Sequence, residues 1–264
     1  MSVGDQDKRI VYLAVDKQKS FDKAMSLISG VFDGPMQSYM AGCKFNDALH
    51  ASGWGGPDLI DEVISLCPGR TMFIDLKLMD VGDTIINTIR HYYGHAKLLV
   101  TVSVHCSAQA YQLLNKEFPE LEIAVMGVPT DIKHEEFINR YGMVPFEAME
   151  KWYGGLVSEY RSLTKDQIAY PNRYAISSID MLEMLAEKFP VVNPVTPAIR
   201  DNWMKTQNQQ RVVSSAQALI HGAKRLVIGN QLFNGNPEVG ISAHESQRLT
   251  AVELETYFQS LVVA

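Results

Sequence analysis

Two opposite charges stand two residues apart in segment 73–80, which reads FIDLKLMD. Residues i and i+2 of a β-strand lie on one face, so Asp75 and Lys77 are predicted to point the same way, opposite to Leu76. A charge that points into a protein interior must be paired or used in chemistry. The spacing therefore predicts a carboxylate–ammonium pair that points into the protein. For this motif taken alone, a structural ion pair is favoured over a catalytic role.

Further polar residues stand at the ends of neighbouring apolar segments. Asp16 ends the first predicted strand, Lys44 lies in the second, and His105 ends the fourth. In a (β/α)8 barrel the C-terminal ends of the strands form the active site. A group of charges gathered there is costly for stability alone. The pattern therefore favours catalysis over a purely structural ion pair.

The elements that would position these residues alternate along the chain. Short apolar segments are typical of strands buried on both faces, and apolar residues recur at helical spacing between them. Eight strands are predicted, at 10–16, 40–45, 71–78, 98–105, 123–128, 174–179, 191–196 and 225–229. Eight such strands alternating with helices predict an α/β fold, a parallel sheet closed into a (β/α)8 TIM barrel.

The length of 264 residues suits one barrel, so residues 1–264 are expected to form a single domain. Glycines and prolines interrupt segment 129–173, which is predicted to hold helices and an irregular excursion. The apolar pattern at 252–263 predicts a terminal helix that covers the bottom of the barrel. Neither GxGxxG nor GxxxxGK[ST] occurs, so an open nucleotide-binding sheet is not favoured.

Composition and charge restrict the possible partners. Hydrophobic residues make up 46% of the chain and charged residues 20%, as in soluble globular proteins. The net charge of -6 argues against nucleic-acid or membrane binding, so an anionic ligand must meet a local group of cations. The absence of a spanning segment and of a signal-peptide core predicts a cytoplasmic protein. The three cysteines show no CxxC spacing, and no metal is predicted.

Segment 75–84, DLKLMDVGDT, resembles the Asp-x-Lys-x-x-Asp signature, followed by Thr, of the orotidine 5'-monophosphate decarboxylases. Other segments resemble that family in the same order: VD at 15–16, Lys44, VHCS at 104–107, TPAIR at 196–200, and QRVVS with QAL at 210–219. The resemblance runs from about residue 10 to residue 233. It implies decarboxylation of orotidine 5'-monophosphate to uridine 5'-monophosphate, without a cofactor, in pyrimidine biosynthesis.

The resemblance also implies a role for each matching residue. Lys77 would stabilise the charge that develops at pyrimidine carbon six and then protonate that carbon, and Asp75 would disfavour the substrate carboxylate. Lys44 and Asp80 would complete an alternating chain of charges. In the family the second motif aspartate crosses a dimer interface, so Asp80 and Thr84 would act in the neighbouring site of a homodimer. Substrate-binding residues implied in this way are Asp16, Thr84, Thr196, Pro197, Arg200, Asn202, Gly229 and Asn230.

The sequence departs from the family where the phosphate should bind. The family's last strand reads Val-Gly-Arg, whereas residues 228–230 are Ile-Gly-Asn, so the phosphate-binding arginine is absent. The family glutamine after strand seven aligns near Asn202, and the strand-five serine that reads the pyrimidine aligns near Gly127. Phosphate could then be held by backbone N–H groups after strands seven and eight. Three residues could add positive charge: Arg200, Lys205 and Arg211.

Two other functions stay open. The MDVG at 79–82 resembles the MDAG of 3-hexulose-6-phosphate synthases and keto-gulonate phosphate decarboxylases, lyases that share the barrel and the motif. Those enzymes carry an acid on strand two, where this chain has Lys44. Asn230 and Gly127 suggest a non-catalytic nucleotide-binding paralogue, but a protein that only binds gains nothing from two buried acids beside an anionic ligand.

Overall fold

The computed structural model describes residues 7–129, 132–204 and 213–263. Eight parallel strands form a closed barrel in chain order, and the last strand pairs with the first. This confirms the predicted (β/α)8 barrel. The strands are β1 (Val11–Ala14), β2 (Met40–Phe45), β3 (Thr71–Leu78), β4 (Leu98–Ser103), β5 (Glu122–Met126), β6 (Tyr174–Ile176), β7 (Asn193–Thr196) and β8 (Arg225–Ile228).

Helices follow the strands and surround the barrel. Within the described residues they are α1 (Phe21–Phe32), α2 (Pro57–Leu66), α3 (Gly82–Arg90), α4 (Ala108–Glu117), α5 (His134–Tyr141), α6 (Pro145–Thr164), α7 (Leu182–Lys188), α8 (Ser215–Ile220), α9 (Asn230–Asn234) and α10 (Ala243–Val263). None of these helices is long and apolar enough to cross a membrane.

The barrel is filled on both sides of its strands. A ring of interior side chains comprises Tyr12, Phe73, Leu99, Ala124, Tyr174, Val195 and Val227. A larger core between strands and helices takes the alternate residues, such as Val11 and Leu13. Because both faces are buried, the strands appear in the sequence as nearly continuous apolar segments. The interior ring leaves the C-terminal mouth of the barrel as the open end.

Strand β3 leaves regular geometry just where its charges lie. Ile74 pairs with Val100 but Leu78 pairs with Val102, so the advance of four residues on β3 matches an advance of two on β4. Lys77 adopts a φ of 52°, in the left-handed region that non-glycine residues avoid. The side chain of Lys77 is therefore oriented by a bulge and not by a regular pleat. It nevertheless points the same way as Asp75, as predicted, with Lys77 Nζ 2.9 Å from Asp75 Oδ2.

Segment 129–173 contains the predicted helices. After the undescribed residues 130 and 131, α5 and α6 follow, and α6 packs against α4 as the outer helix for β5. Gly142 ends α5 with a φ of 69°, a C-cap that favours glycine. The turns before β6 form the irregular part of the segment.

The terminal helix differs from its prediction. Helix α10 has 21 residues and packs along α8 and α9 on the side of the barrel. Near its start, Ser246 accepts a hydrogen bond from Trp203 Nε1 at 2.9 Å. Near its end, Glu255 accepts hydrogen bonds from Lys8 and Tyr39, which precede β1 and β2. Only this last part of the helix reaches the bottom edge of the barrel. The helix begins at residue 243, nine residues earlier than predicted, and its first turns pack on the side of the barrel.

Candidate active site

Four alternating charges meet at the C-terminal ends of β1, β2 and β3. Lys44 Nζ lies 2.7 Å from Asp16 Oδ2 and 3.3 Å from Asp75 Oδ2. Lys77 Nζ lies 2.9 Å from the same Asp75 oxygen. We call Asp16, Lys44, Asp75 and Lys77 the charge chain. Each carboxylate contacts at least one ammonium, which offsets part of the cost of burying it.

Burial decreases from Lys44 to Lys77 along the charge chain, and Asp16 at the other end is 30% exposed. The side chain of Lys44 is 9% exposed and that of Asp75 13%, whereas Lys77 is 43% exposed. Lys44 is therefore committed to its two carboxylates, and the Lys77 ammonium remains accessible from the mouth of the barrel. This gradient suits Lys44 to a supporting role and Lys77 to contact with a ligand.

Two residues that the sequence analysis missed hold Asp75 in place. The Thr101 hydroxyl donates to Asp75 Oδ1 at 2.9 Å and accepts the Lys77 backbone N–H at 2.8 Å. Asn46 Nδ2 donates to the Asp75 carbonyl at 2.7 Å. Thr101 thus connects the bulge at Lys77 with the carboxylate beside it. Its only sequence signal is a hydroxyl within β4, which is otherwise apolar apart from Ser103 at its end.

Asp16 keeps one carboxylate oxygen unused. Its Oδ2 receives Lys44, but Oδ1 is buried and has no hydrogen-bond partner among the described residues. A buried acceptor without a partner is costly and suits a donor from a ligand. The next residue, Lys17, has a φ of 63°, and its N–H donates to the Asp47 carboxylate at 3.0 and 3.2 Å. This contact fixes the turn that presents Asp16.

A cavity of about 860 Å³ opens at this end of the barrel. Its volume lies within the range of small-molecule sites. Eight of the predicted site residues line it: Asp16, Lys44, Asp75, Lys77, Pro197, Arg200, Gly229 and Asn230. Apolar side chains of β5, β6 and the residues after β5 form the opposite part of the wall: Met126, Val128, Pro129 and Ile176. The cavity therefore joins a charged side to an apolar side that can receive a flat ring.

Two predicted substrate-binding residues do not line this cavity. Thr196 is fully buried, and its hydroxyl has no partner in the described chain. Its neighbour Val195 belongs to the interior ring, so alternation directs Thr196 toward the helices. Asn202 is exposed in a 3-10 turn, Asn202–Met204, away from the wall. These two positions do not contact the cavity of this chain.

Asp80 and Thr84 also lie outside the cavity. Both are exposed, Asp80 before α3 and Thr84 in its first turn. Asp80 Oδ1 accepts the Val81 N–H at 2.7 Å. Met79 and Val81, on either side of Asp80, are 66% and 68% exposed. Within one chain, the second motif aspartate is therefore a surface residue between two exposed apolar side chains.

The turn after β8 shows why a glycine stands at 229. A Cβ built on Gly229 would lie 3.1 Å from both the Cβ and the carbonyl oxygen of Ala14 on β1. Only glycine allows this close approach without a shift. Asn230 follows as the first residue of α9, is exposed, and accepts a hydrogen bond from Asn234 Nδ2 at 2.6 Å. The family arginine position thus carries a neutral amide that faces the cavity.

Arg200 brings a cation to the same region. One guanidinium nitrogen donates to the Ile199 carbonyl at 2.7 Å, and burial lowers the pKa of this guanidinium from its ordinary value. No carboxylate of the described chain lies within 4.0 Å of it. The other two predicted cations, Lys205 and Arg211, and the QRV at 210–212 lie outside the described residues.

The residue after Arg200 anchors the surrounding loops. Asp201 is fully buried and accepts hydrogen bonds from the Ser215 N–H, Gln231 Nε2 and Thr250 Oγ1 at 2.7, 2.6 and 3.0 Å. These donors belong to α8, α9 and α10. Asp201 was not predicted, because no spacing in the sequence marks a carboxylate that is buried by three separate helices.

Gly127 does not take the place of a ring-reading serine. A Cβ at this position would overlap the Met149 sulfur of α6, so a side chain here would point toward the helices. The residues around it that face the cavity are Met126 and Val128. A side chain at position 127 would therefore not face the cavity, and the β5 side of the cavity is apolar.

The fold and the site together define a class of protein. It is a (β/α)8 barrel with alternating aspartates and lysines at the mouth, next to a cavity that combines charged and apolar walls. Among the described residues no three His, Cys, Asp or Glu side chains are grouped as metal ligands would be.

Several known proteins resemble the chain. No protein-family model matches it. It is 28% identical over 189 residues to orotidine 5'-phosphate decarboxylase of Thermobifida fusca (strain YX), covering 71% of this chain and 76% of that protein. For the same-named protein of Rhodopseudomonas palustris (strain BisB5), identity is 24% over 238 residues, covering 87% and 88%. The crystal structure of orotidine 5'-phosphate decarboxylase from Lactobacillus acidophilus shares the fold, with a TM-score of 0.66, 15% identity, and coverage of 93% and 99%.

The chain therefore resembles the orotidine 5'-phosphate decarboxylases in sequence and shares their fold. The residues at 75, 77 and 80 and the closed barrel agree with this likeness.

Proposed function

We propose that this protein is a carboxy-lyase that converts orotidine 5'-monophosphate to uridine 5'-monophosphate and carbon dioxide in pyrimidine biosynthesis. The observation that carries the proposal is the charge chain, which ends in the accessible ammonium of Lys77 beside the carboxylate of Asp75 at 2.9 Å. The relatives named orotidine 5'-phosphate decarboxylase support it.

In this reaction the bond between pyrimidine carbon six and the carboxylate breaks. Carbon dioxide leaves, and the electron pair stays on carbon six. The Lys77 ammonium stabilises that developing charge, because a fixed cation in a site closed to water acts more strongly than a solvated one. Lys77 then transfers a proton from Nζ to carbon six, which completes the product. Neither a cofactor nor a metal is required for this sequence of steps.

Asp75 contributes by disfavouring the ground state. Its carboxylate, held by Thr101 and Lys44, would lie beside the carboxylate of the bound substrate. The repulsion between the two disappears as carbon dioxide leaves, so it raises the energy of the substrate more than that of the transition state. The fixed position of Asp75 is essential, because a mobile carboxylate would turn away from the substrate.

In this proposal Lys44 holds the catalytic carboxylate in place, and Asp16 binds the ribose of the substrate. Lys44 keeps two nearby carboxylates in place by contacting both. The unused Oδ1 of Asp16 would accept a hydrogen bond from a ribose hydroxyl. The apolar wall around Met126 and Ile176 would receive the face of the pyrimidine.

The proposal includes a homodimer with shared sites. Asp80 and Thr84 do not reach the cavity of their own chain, and Met79 and Val81 expose apolar surface beside Asp80. Burial of these side chains against a second copy would bring Asp80 and Thr84 to the partner's cavity. Each complete site would then contain residues of two chains.

The test follows the ultraviolet absorbance of orotidine 5'-monophosphate as purified protein is added. We expect a decrease in absorbance and formation of uridine 5'-monophosphate without added metal or cofactor. Lys116→Ala, on α4 and outside the cavity, serves as the control with unchanged activity. Turnover of 3-hexulose 6-phosphate or keto-gulonate phosphate, with no change in orotidine 5'-monophosphate, would contradict the proposal. Tight nucleotide binding without turnover of any of the three would identify a binding protein instead.

A further inference from the structure

The cavity carries an excess of positive charge. Its described lining residues include five cations, namely Lys17, Lys23, Lys44, Lys77 and Arg200, but only two carboxylates, Asp16 and Asp75. Both carboxylates already contact lysines of the charge chain. Three cations remain in the wall of a protein whose net charge is -6. A local excess of this kind attracts an anionic ligand.

The excess lies on one side of the cavity. Lys17 and Arg200 follow β1 and β7, and Lys23 lies in the first turn of α1. Helix α1 packs against α9, the short helix after β8. Lys23 and Leu27, one helical turn apart, line the wall together with Asn230, Phe233 and Asn234 of α9. The cations are therefore placed around the turn where the family arginine is replaced by Asn230.

Lys23 has the position and the freedom to act there. Its backbone N–H donates to Ser20 Oγ at 3.3 Å, the N-cap of α1, which fixes the turn that carries it. No carboxylate of the described residues lies within 4.0 Å of its ammonium. Asp22, the neighbouring acid, does not line the cavity, because adjacent helix residues point in different directions. Asn230 lines the same cavity, but its side chain is a neutral amide and supplies no positive charge.

We propose that the side of the cavity between α1 and α9 binds a phosphate monoester dianion, with Lys23 as its main cation and Arg200 as the second. This inference deepens the proposed function, since the dianion would be the 5'-phosphate of the nucleotide. A lysine on α1 thereby takes over the charge that an arginine after β8 supplies in the family pattern. Phosphate binding here does not itself require that the protein decarboxylate anything.

Calorimetric titration with ribose 5-phosphate and with ribose tests the site. We expect Lys23→Ala to weaken ribose 5-phosphate binding at least about tenfold, the lower end for a charge-assisted contact. Binding of ribose should not change, because it carries no charge. Lys23→Arg should keep most of the affinity. Lys19→Ala removes a nearby exposed lysine that does not line the cavity, and it should have no effect.

Two further titrations extend the test, one at varied ionic strength and one with a double variant. Ribose 5-phosphate affinity should fall with ionic strength, and less steeply in Lys23→Ala, because screening acts on the charge that was removed. The double variant Lys23→Ala with Asn230→Arg should recover the lost affinity, since the new guanidinium faces the same cavity. Such recovery would show that Lys23 supplies the charge of the missing arginine.

Three outcomes would overturn the inference. These are wild-type binding of ribose 5-phosphate no tighter than binding of ribose, unchanged binding in Lys23→Ala, and an equal loss of binding in Lys19→Ala. Loss in Arg200→Ala alone would place the phosphate at the loop after β7. No turnover enters these titrations, so their result is separate from the decarboxylation test. A protein that binds phosphate through Lys23 but leaves orotidine 5'-monophosphate unchanged would retain the inference and refute the proposed function.

Discussion

At the scale of single residues, the chemistry depends on where one ammonium is held. Lys77 lies on a bulge with a left-handed backbone, a conformation that costs on the order of 1 kcal/mol or more for a non-glycine residue. The Thr101 hydroxyl and the contact with Asp75 maintain it. Strain of this kind persists where the surrounding structure compensates for it, as is common at functional sites.

We expect Lys77→Ala to reduce kcat for orotidine 5'-monophosphate by far more than tenfold, because it removes both the charge that stabilises carbon six and the proton donor. The fold should persist, since the side chain is 43% exposed. Steady-state kinetics and circular dichroism check both statements. Retention of more than roughly a tenth of wild-type kcat, a loss under about 1.4 kcal/mol, would rule out this role.

Thr101→Val tests whether the bulge is maintained for catalysis. The valine has a similar shape but leaves Asp75 Oδ1 and the Lys77 N–H without their partner. We expect kcat to fall roughly 10- to 100-fold, which corresponds to about 1.4 to 3 kcal/mol, with KM little changed. Thr101→Ser keeps the hydroxyl and should keep most of the activity. Equal kcat for the valine and serine variants would mean that the bridge has no catalytic part.

Residue types and spacing predict the charged residues at the centre of the site better than the residues that hold those charges in place. Asp16, Lys44, Asp75 and Lys77 meet as predicted because strand ends of a parallel barrel converge at one mouth. Thr101 and Asn46 were missed, since their roles depend on a bulge, which the strand periodicity does not show. Thr196 was misplaced for a related reason, because the face on which a strand residue ends depends on register.

At the scale of elements, the loops after β7 and β8 are held by a single buried carboxylate. Asp201 joins the loop after β7 to the first turn of α8, to α9 and to α10. We expect Asp201→Ala to lower the free energy of unfolding by about 2 to 4 kcal/mol, because it leaves the buried Ser215 N–H without an acceptor and removes one acceptor each from Gln231 Nε2 and Thr250 Oγ1. Chemical denaturation measures this. Asp180→Ala, at an exposed position, should change it little.

Glu253 on α10 is a second acid at this junction. Its carboxyl accepts the Ala216 N–H at 3.0 Å, and burial first, then the charge of Asp201, raises its pKa above the ordinary 4.5. A pKa raised by folding stabilises the folded state below the unfolded value, and this stabilisation is lost as pH rises through the folded value. Ionised Glu253 is therefore unfavourable at neutral pH.

We expect Glu253→Gln to stabilise the protein at pH 7 and to lose that advantage near pH 4, where wild-type Glu253 is protonated. The amide oxygen can still accept the Ala216 N–H, so the packing is kept. Thermal unfolding of both proteins across this pH range checks the sign. Glu187→Gln, on the exposed surface, is the control. A stabilisation that is the same at both pH values would exclude titration of Glu253 as its cause.

The order of elements could be predicted because each buried strand leaves a distinct apolar segment in the sequence. All eight strands lie where they were predicted, although several end earlier. Helix α10 was predicted at half its length, since its polar first turns carry Ser246, Gln247 and Thr250, which are buried through hydrogen bonds instead of apolar contacts. A hydrophobic pattern cannot show burial of this kind.

At the scale of the whole molecule, one chain holds an incomplete form of the proposed site. Asp80 and Thr84 belong to the signature but lie on the surface, beside the exposed side chains of Met79 and Val81. Asp80 thus lies between two exposed apolar side chains, which suit a surface for protein contact. Its position is explained if a second copy of the chain covers Met79 and Val81 and receives Asp80.

Sharing of sites between two chains can be tested by complementation. Asp80→Asn and Lys77→Ala should each be nearly inactive as homodimers. In a mixed dimer one site would combine both defects, and the other would contain an intact Lys77 and the partner's intact Asp80. Random mixing of equal amounts gives half mixed dimers with one working site each, so we expect about a quarter of wild-type activity. Native mass spectrometry verifies that mixed dimers form. Mixed dimers without activity would show that Asp80 acts in its own chain or not at all, and a monomer in solution would remove the basis for sharing.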